Sequence, residues 1–420
     1  MMTEEKFIFH VDANSAYLSW EAVYRMQHGD PLDLRQVPSA IGGDPIKRSG
    51  IILAASKPAK KLGIRTGEVL NEAFKKCPHL IIAKPNYHMY MQCSRAMVEI
   101  LQKYSPRVQK FSVDECFVDM CNFSLSRDQA VATAYKIKDE IHKTLGFTVN
   151  IGVGTNKITA KMASELEKPN RVHTLFPEEI EKKLWPLAVE ELFGVGRGIG
   201  PKLRRLGIET IGQLAQAPMD LLTYQLKSYA HLIQSYAKGQ EESEVRTHAG
   251  YEKIKSIGNS TTIKFDVSEA KDAYMVLLSL TEMVGLRLRE EKFVTKVITV
   301  SIRYASLDRY SHQRKIFHYT DNTMEIFKVV QILFDELWTG EPIRHLGVRL
   351  SCFLPNDSYQ YSLFDDDHLE KRRSLDRVVD ELRFKYGKGA IQRASFLHSG
   401  FKSITGGVTD EEYTGMMSVL

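Results

Sequence analysis

No stretch of the chain approaches the roughly 18 consecutive apolar residues that a membrane-spanning helix needs, so no such helix is expected. Cysteine is scarce. The five thiols, Cys77, Cys93, Cys116, Cys121 and Cys352, are odd in number and form no Cys-x-x-Cys pair. They read as reduced side chains, with neither a disulfide framework nor a zinc site implied. No internal repeat or low-complexity tract stands out. Charge of one sign is also nearly absent as an excess: 57 Lys and Arg against 52 Asp and Glu leave a formal +5. That balance permits a polyanionic partner without requiring one. Acids appear early and no signal-peptide pattern is visible, so a cytoplasmic protein is expected.

What is present is more specific. At 420 residues the chain exceeds one ordinary core, and about two to four domains are expected. Basic residues cluster between Lys292 and Lys315, where six Lys or Arg face one acid, Asp308. The stretch from Phe111 to Asp119 sets two adjacent carboxylates, Asp114 and Glu115, between short apolar runs that read as strands. Neighbouring strand residues point to opposite faces, so both acids can face one point only where the backbone turns. Clustered carboxylates raise each other's proton affinity, and a hard cation neutralises them. Phe7-Ile8-Phe9-His10-Val11-Asp12 offers a third acid at the end of another apolar strand. Three carboxylates from two strand ends suit a two-metal phosphoryl-transfer site, with cations about 4 Å apart. Taken singly, Asp114 and Glu115 also fit a solvated hairpin tip, and Asp12 a helix N-cap.

The pattern along the chain predicts a strand at 7–12, a helix at 14–28 and a compact Gly-, Pro- and Lys-rich insert over about 30–86, with a buried strand at 51–55. A helix at 88–104, a hairpin at 107–121, a helix at 126–144, a strand at 147–153 and a helix at 156–167 follow. This order suggests an α+β sheet domain interrupted by the insert. Short helices broken by glycine run from 177 to 245, and a linker covers 246–256. A second α+β domain spans 257–355, with a helix at 268–291 and strands at 295–305 and 346–354. The tail, 356–420, contains an acidic run and a charged helix at about 367–386.

His10-Val11-Asp12-x-Asn14-x-x-Tyr17-x-x-x-Glu21, then Ser112-Val113-Asp114-Glu115-x-x-x-Asp119, resembles the two palm motifs of the Y-family translesion DNA polymerases. Gly152-Val153-Gly154-x-Asn156-Lys157-x-x-Ala160-Lys161-x-Ala163-Ser164, leading into Lys168-Pro169-Asn170, is similar to that family's third signature. The resemblance covers roughly 7–355. It implies an α+β multidomain right hand: a palm of mixed sheet and helices (1–29 and 87–176), small fingers (30–86), a helical thumb (177–245) and an α+β little finger (257–355). It implies template-directed DNA synthesis from dNTPs at a primer 3′-hydroxyl, with low fidelity and lesion bypass after DNA damage. Asp12, Asp114 and Glu115 would be catalytic. With the carbonyl of Ala13 they would hold two Mg2+, for which Mn2+ could substitute. Tyr17 stands where the family keeps a gate against the ribose 2′-hydroxyl, and Asn14 and Ala16 would flank the nucleotide.

This chain departs from the family in two places. Lys57 and Lys60 stand where many relatives carry tyrosine and arginine, and lysine cannot make arginine's bidentate fork. Lys60 and Lys168 are expected on the triphosphate, with Lys57 a third candidate. Ala16 replaces a common aromatic, which implies a roomier nucleotide pocket. The segment from Leu192 to Ile208 resembles a helix-hairpin-helix, whose Gly194, Gly196, Lys202 and Arg204 would meet DNA phosphates. In the second domain Thr299, Ser301 and Arg303 share one strand face, and Arg344 and Arg349 extend it toward DNA. Gln360-Tyr361-Ser362-Leu363-Phe364 looks like the peptide by which bacterial polymerases dock on the sliding clamp, with Gln360, Leu363 and Phe364 as its contacts. A monomer bound to primer-template DNA, nucleoid-associated and without membrane contact, is the resulting expectation. A metal-dependent nuclease or phosphodiesterase, and a non-catalytic DNA-binding accessory protein, are the alternatives.

Overall fold

A computed structural model describes residues 6–43, 50–246, 254–356, 369–387 and 389–397. These divide into two compact units, with the division near residue 250.

In the first unit, strand β1 (Ile8–Ala13) is buried along its whole length and enters helix α1 (Ala16–Gln27). An insert follows: strands β2 (Ser39–Gly42) and β3 (Ile52–Ala55), helices α2 (Lys57–Lys61) and α3 (Leu70–Lys76), and strand β4 (Ile81–Ala83). Its three strands form their own small sheet over a core built on Ile52, Ala55 and Leu70. The chain then continues through helix α4 (Tyr87–Gln102), strands β5 (Val108–Lys110) and β6 (Glu115–Asp119), helix α5 (Arg127–Leu145), strand β7 (Val149–Gly154), helix α6 (Lys157–Glu165) and strand β8 (Val172–Leu175).

These strands make a five-stranded sheet in the order β5-β6-β1-β7-β8. Strand β1 lies at its centre, antiparallel to β6 and β7, and is buried throughout, its apolar residues interrupted by His10 and Asp12. A Ser126–Gln129 capping box starts α5, and Gly146 at φ +77° ends it. Helix α6 starts on an Asn156–Thr159 box and lies hard against β7 at Gly152 and Gly154, where a Cβ would strike its backbone. Short helices complete the unit: α7 (Gly200–Arg205), α8 (Ile211–Gln216), α9 (Met219–Leu226) and α10 (Tyr229–Ala237), packed around Leu192, Leu203, Leu214 and Ile233.

The second unit is a four-stranded antiparallel sheet backed by helices. Strand β9 (Ser256–Val267), helix α11 (Ala270–Glu290), strands β10 (Phe293–Tyr304) and β11 (Arg309–Thr320), helix α12 (Thr323–Leu337) and strand β12 (Ile343–Pro355) give the sheet order β11-β10-β12-β9. Ile298, Val300 and Ile302 point from β10 into the core, leaving the opposite face polar. Strands β9 and β11 and helix α12 add to the elements predicted from sequence.

The tail differs most from expectation. Helix α13 (Leu369–Tyr386) docks on this unit through buried charge. Arg289 of α11 donates to Asp380 (2.6 and 3.1 Å) and lies 3.7 Å from Asp376. Arg373 bonds Asp321, Arg383 bonds Glu282, and Arg393 beyond the helix bonds Glu282 as well. Asn356, at the end of β12, accepts from Arg373 (2.7 Å) and donates to Asp321 (2.8 Å). Phe396 closes the core, 5% exposed. Meanwhile Leu375 and Val378 of α13 face outward. The unit therefore extends past 355, and the helix is held by its polar stripe.

Among the described residues, no helix is long and apolar enough to cross a membrane.

Candidate active site

Strand register builds the centre. Asp12 on β1 lies directly opposite Glu115 on β6 and, on its other side, opposite Asn150 on β7. Facing like charges destabilise a sheet unless something neutralises them. Glu165, at the end of α6, joins them: one carboxylate oxygen from each of Asp12, Glu115 and Glu165 lies within 4.8 Å of the others. Asp114 sits in the turn one residue before β6. Its carboxylate accepts from the Ser112 hydroxyl (2.7 Å) and its carbonyl from the Ala13 amide (3.0 Å). The acids brought together are thus Asp12, Glu115 and the unanticipated Glu165, with Asp114 beside that trio.

Two lysines answer the charge. Lys161 of α6 donates to Glu115 Oε1 at 2.7 Å, and Lys168 bonds Asp12 and also Glu165 (2.8 Å). Burial pushes the Asp12 carboxyl up to about 6; Lys168 works against this, and Glu115 and Glu165 add to it. Burial also pulls on Lys168, but Asp12 and then Glu165 outweigh it and hold the ammonium above its usual value. His10, fully buried beneath the acids, is held well below the usual histidine range by burial and by the two lysines. The Ser164 hydroxyl donates to the Lys161 carbonyl (2.7 Å), so neutral His10 donates from Nδ1 to Ser164 Oγ (2.8 Å). Its Nε2 then has no hydrogen-bond partner and lies 3.9 Å from Glu115 Oε1.

An asparagine network locks the strand ends to the loop after α6. Asn14 donates to Asn150 Oδ1 (3.1 Å) and accepts from the Asn170 amide (2.9 Å). Asn150, wholly buried, donates to the carbonyls of Ser164 (3.0 Å) and Glu167 (2.6 Å). Asn14 is thereby committed to positioning the loop that carries Lys168. Lys60, from the insert, reaches across to Ser15 Oγ (2.9 Å), and burial followed by repulsion from Lys168 lowers its pKa. Lys57 lies exposed at the start of α2, behind the Ser56 cap. Tyr17 is half-buried and stacked on Tyr90 at 4.8 Å, with Trp20 and Tyr87 edge-on. Ala16 beside it is buried.

The expected backbone-phosphate contacts fall as follows. Gly194 needs its freedom: φ is +91°, the Tyr229 hydroxyl donates to its carbonyl (3.1 Å), and a Cβ would lie 2.8 Å from that oxygen. Gly196 opens onto space and Lys202 is exposed. Arg204 is tied to Glu190 by two hydrogen bonds (2.5 and 2.8 Å). In the second unit Thr299 lies opposite Arg349, Ser301 opposite Gly347 and Arg303 opposite His345, along one polar face. Arg344 sits at the bulge between Ile343 and His345. Gln360, Leu363 and Phe364 lie outside the described residues.

Residues 11–165 match the impB/mucB/samB family, and residues 254–363 match the C-terminal domain of that family. The protein named DNA polymerase IV from Clostridium acetobutylicum is 42% identical over 392 residues, covering 93% of this chain and 98% of its own. DNA polymerase IV 2 from Bacillus subtilis is 34% identical over 403 residues, covering 94% and 96%. Among solved structures, a Y-family DNA polymerase chimera, Dbh-Dpo4(243-245)-Dbh, aligns with a TM-score of 0.72 at 24% identity over 83% of this chain and 100% of that one. DinB from Sulfolobus solfataricus aligns at 0.52 and 22%, over 82% and 98%. The structures speak for a shared multidomain fold; the sequence matches go further, and the chain belongs to the impB/mucB/samB family, the Y-family of translesion DNA polymerases.

Proposed function

We propose that the site at Asp12, Glu115 and Glu165 joins a dNTP to a primer 3′-hydroxyl under template direction, in a low-fidelity polymerase that passes lesions. The observation that carries this is the cross-strand pairing of Asp12 with Glu115, with the cations of Lys168 and Lys60 ranged along the same edge. Convergent carboxylate oxygens are a donor set for a hard divalent cation, so the residues fit Mg2+, with Mn2+ as a substitute. Asp12 and Glu115, joined by Asp114 and the Ala13 carbonyl at the same strand ends, would hold two ions. When bound, they activate the hydroxyl and take up charge during phosphoryl transfer. Neutral His10 beneath the acids adds no competing positive charge.

Lys168 and Lys60 would move from carboxylate and hydroxyl partners to the triphosphate, with Lys57 at the margin. Tyr17, stacked on Tyr90, would present its ring to the sugar. Residues 1–29 and 87–176 would serve as palm, 30–86 as fingers, 177–245 as thumb and 257–355 as little finger. Gly194, Gly196 and Lys202, and the Thr299, Ser301, Arg303 and Arg349 face, would follow the DNA backbone. Arg204 would contribute only after leaving Glu190. Gln360–Phe364 would dock on a sliding clamp, in a cytoplasmic monomer that joins the nucleoid with its DNA. Primer extension on a defined template tests the reading. Template-dependent incorporation, abolished in Asp12→Ala, is expected; template-independent release of mononucleotides would refute it in favour of a nuclease.

A further inference from the structure

Lys161 is a buried ammonium that the proposed chemistry leaves without a task. The residue is 8% exposed, and an ammonium out of water needs a partner of opposite charge. It has Glu115 Oε1 at 2.7 Å. Its other surroundings are two aromatic faces: the Phe111 ring centroid at 5.1 Å and the Phe193 centroid at 5.2 Å, with the rings edge-on to each other at 6.0 Å. Both distances fall within cation–π range. Phe111 belongs to the turn before β6. Phe193 belongs to the helical segment that follows the sheet domain, and it immediately precedes Gly194, whose backbone is fixed by Tyr229. One ammonium therefore touches a carboxylate of the centre, the turn that carries it, and the entry to the glycine-rich hairpin.

We propose that Lys161 is a positioning residue: held between Phe111 and Phe193, it fixes the Glu115 carboxylate and ties its orientation to the placement of the hairpin at Gly194. The proposal rests on the polymerase reading above. Glu115 Oε1 is engaged by Lys161, so this contact sets how the carboxylate is turned relative to Asp12 and Glu165. Movement of the hairpin on DNA carries Phe193 with it, changes one wall around the ammonium, and so reaches Glu115 without touching it.

The proposal separates cation affinity from turnover. Removing a positive charge beside three carboxylates favours a cation, whereas loss of orientation harms only the reaction. In Lys161→Met, Mn2+ bound to the full-length protein without DNA or nucleotide, followed by electron paramagnetic resonance, is expected to bind as tightly as wild type or tighter. At saturating metal and dNTP, kcat falls by at least about tenfold while KM for dNTP stays within about threefold. Lys161→Arg, whose guanidinium also stacks on aromatic rings, restores part of kcat. Loss of Mn2+ affinity together with activity, or a kcat equal to wild type, overturns the proposal. If Lys161→Met fails to fold, Phe193→Leu carries the test: lowered kcat with unchanged Mn2+ binding supports the coupling, and unchanged kcat overturns it. A wild type that extends no primer refutes the polymerase reading instead, so the two failures are told apart.

Discussion

Replacing Gly152 with alanine should leave a folded protein that barely works. The added Cβ would lie 1.9 Å from the Ala160 carbonyl oxygen, 2.4 Å from the Ser164 nitrogen and 2.9 Å from the Ala163 Cβ, where contacts under 3.0 Å are essentially never seen. Two of these neighbours are backbone atoms, so no side-chain rotation relieves the clash. Helix α6 must retreat from β7 by about 1 Å. Overpacking of this kind costs about 1–3 kcal/mol, which a chain with three large clusters of buried residues survives. The same displacement carries Lys161 away from Glu115 and Glu165 away from Asp12, and it pulls on the Asn150 bonds that hold the Lys168 loop. Misplacement by about 1 Å costs on the order of a hundredfold in rate. Single-nucleotide insertion kinetics on a primer-template, beside calorimetric unfolding, measure both effects. A hundredfold loss in kcat with a modest fall in Tm is expected. A kcat within about threefold of wild type at unchanged Tm would refute the reasoning, because it would mean that the α6–β7 contact does not set the site.

Arg289→Ala strands Asp376 and Asp380 without their cation and should destabilise the second unit by about 3–5 kcal/mol, read as a lowered unfolding midpoint and faster hydrogen exchange in α13. The effect depends on pH. Burial holds the Asp376 carboxyl above its usual value against the pull of Arg289, so its stabilising contribution is present below the unfolded carboxylate value and lost as pH rises through the folded one. Without Arg289 the folded value climbs further, and the deficit should be larger near about pH 8 than near about pH 5, as paired melts will show. Asn150→Ala leaves the Ser164 and Glu167 carbonyls and the Arg171 amide without their partner and should cost about 2–4 kcal/mol, with a rise in KM for dNTP as the Lys168 loop loosens. Lys60→Ala should raise KM for dNTP by about tenfold with kcat largely kept, since the lost charge acts on nucleotide binding.

Sequence was most legible where one face or one run dominates. Strands β1, β6 and β7 are apolar because they are interior, and Asp12 and Glu115 stand out because they end such runs. Glu165 could not be read, because its approach to Asp12 depends on how α6 crosses β7. Asn150 was legible in principle: an amide inside Val149-Asn150-Ile151 must find partners wherever the strand is buried. The polar edge strand β11, with Ser311, Gln313 and Lys315 facing outward, carries no apolar alternation to betray it. Helix α13 misleads for a different reason. Its apolar positions suggest an inward face, yet Asp376, Asp380 and Arg383 are the residues buried.

Helix α13 also fastens the far side of the second unit to the end of its sheet. Asn356 and Arg373 are hydrogen-bonded to each other, so the end of β12 and the N-terminal part of α13 are fastened together. Load on the end of β12 is therefore shared with α13 and, through Arg289 and Asp380, with α11.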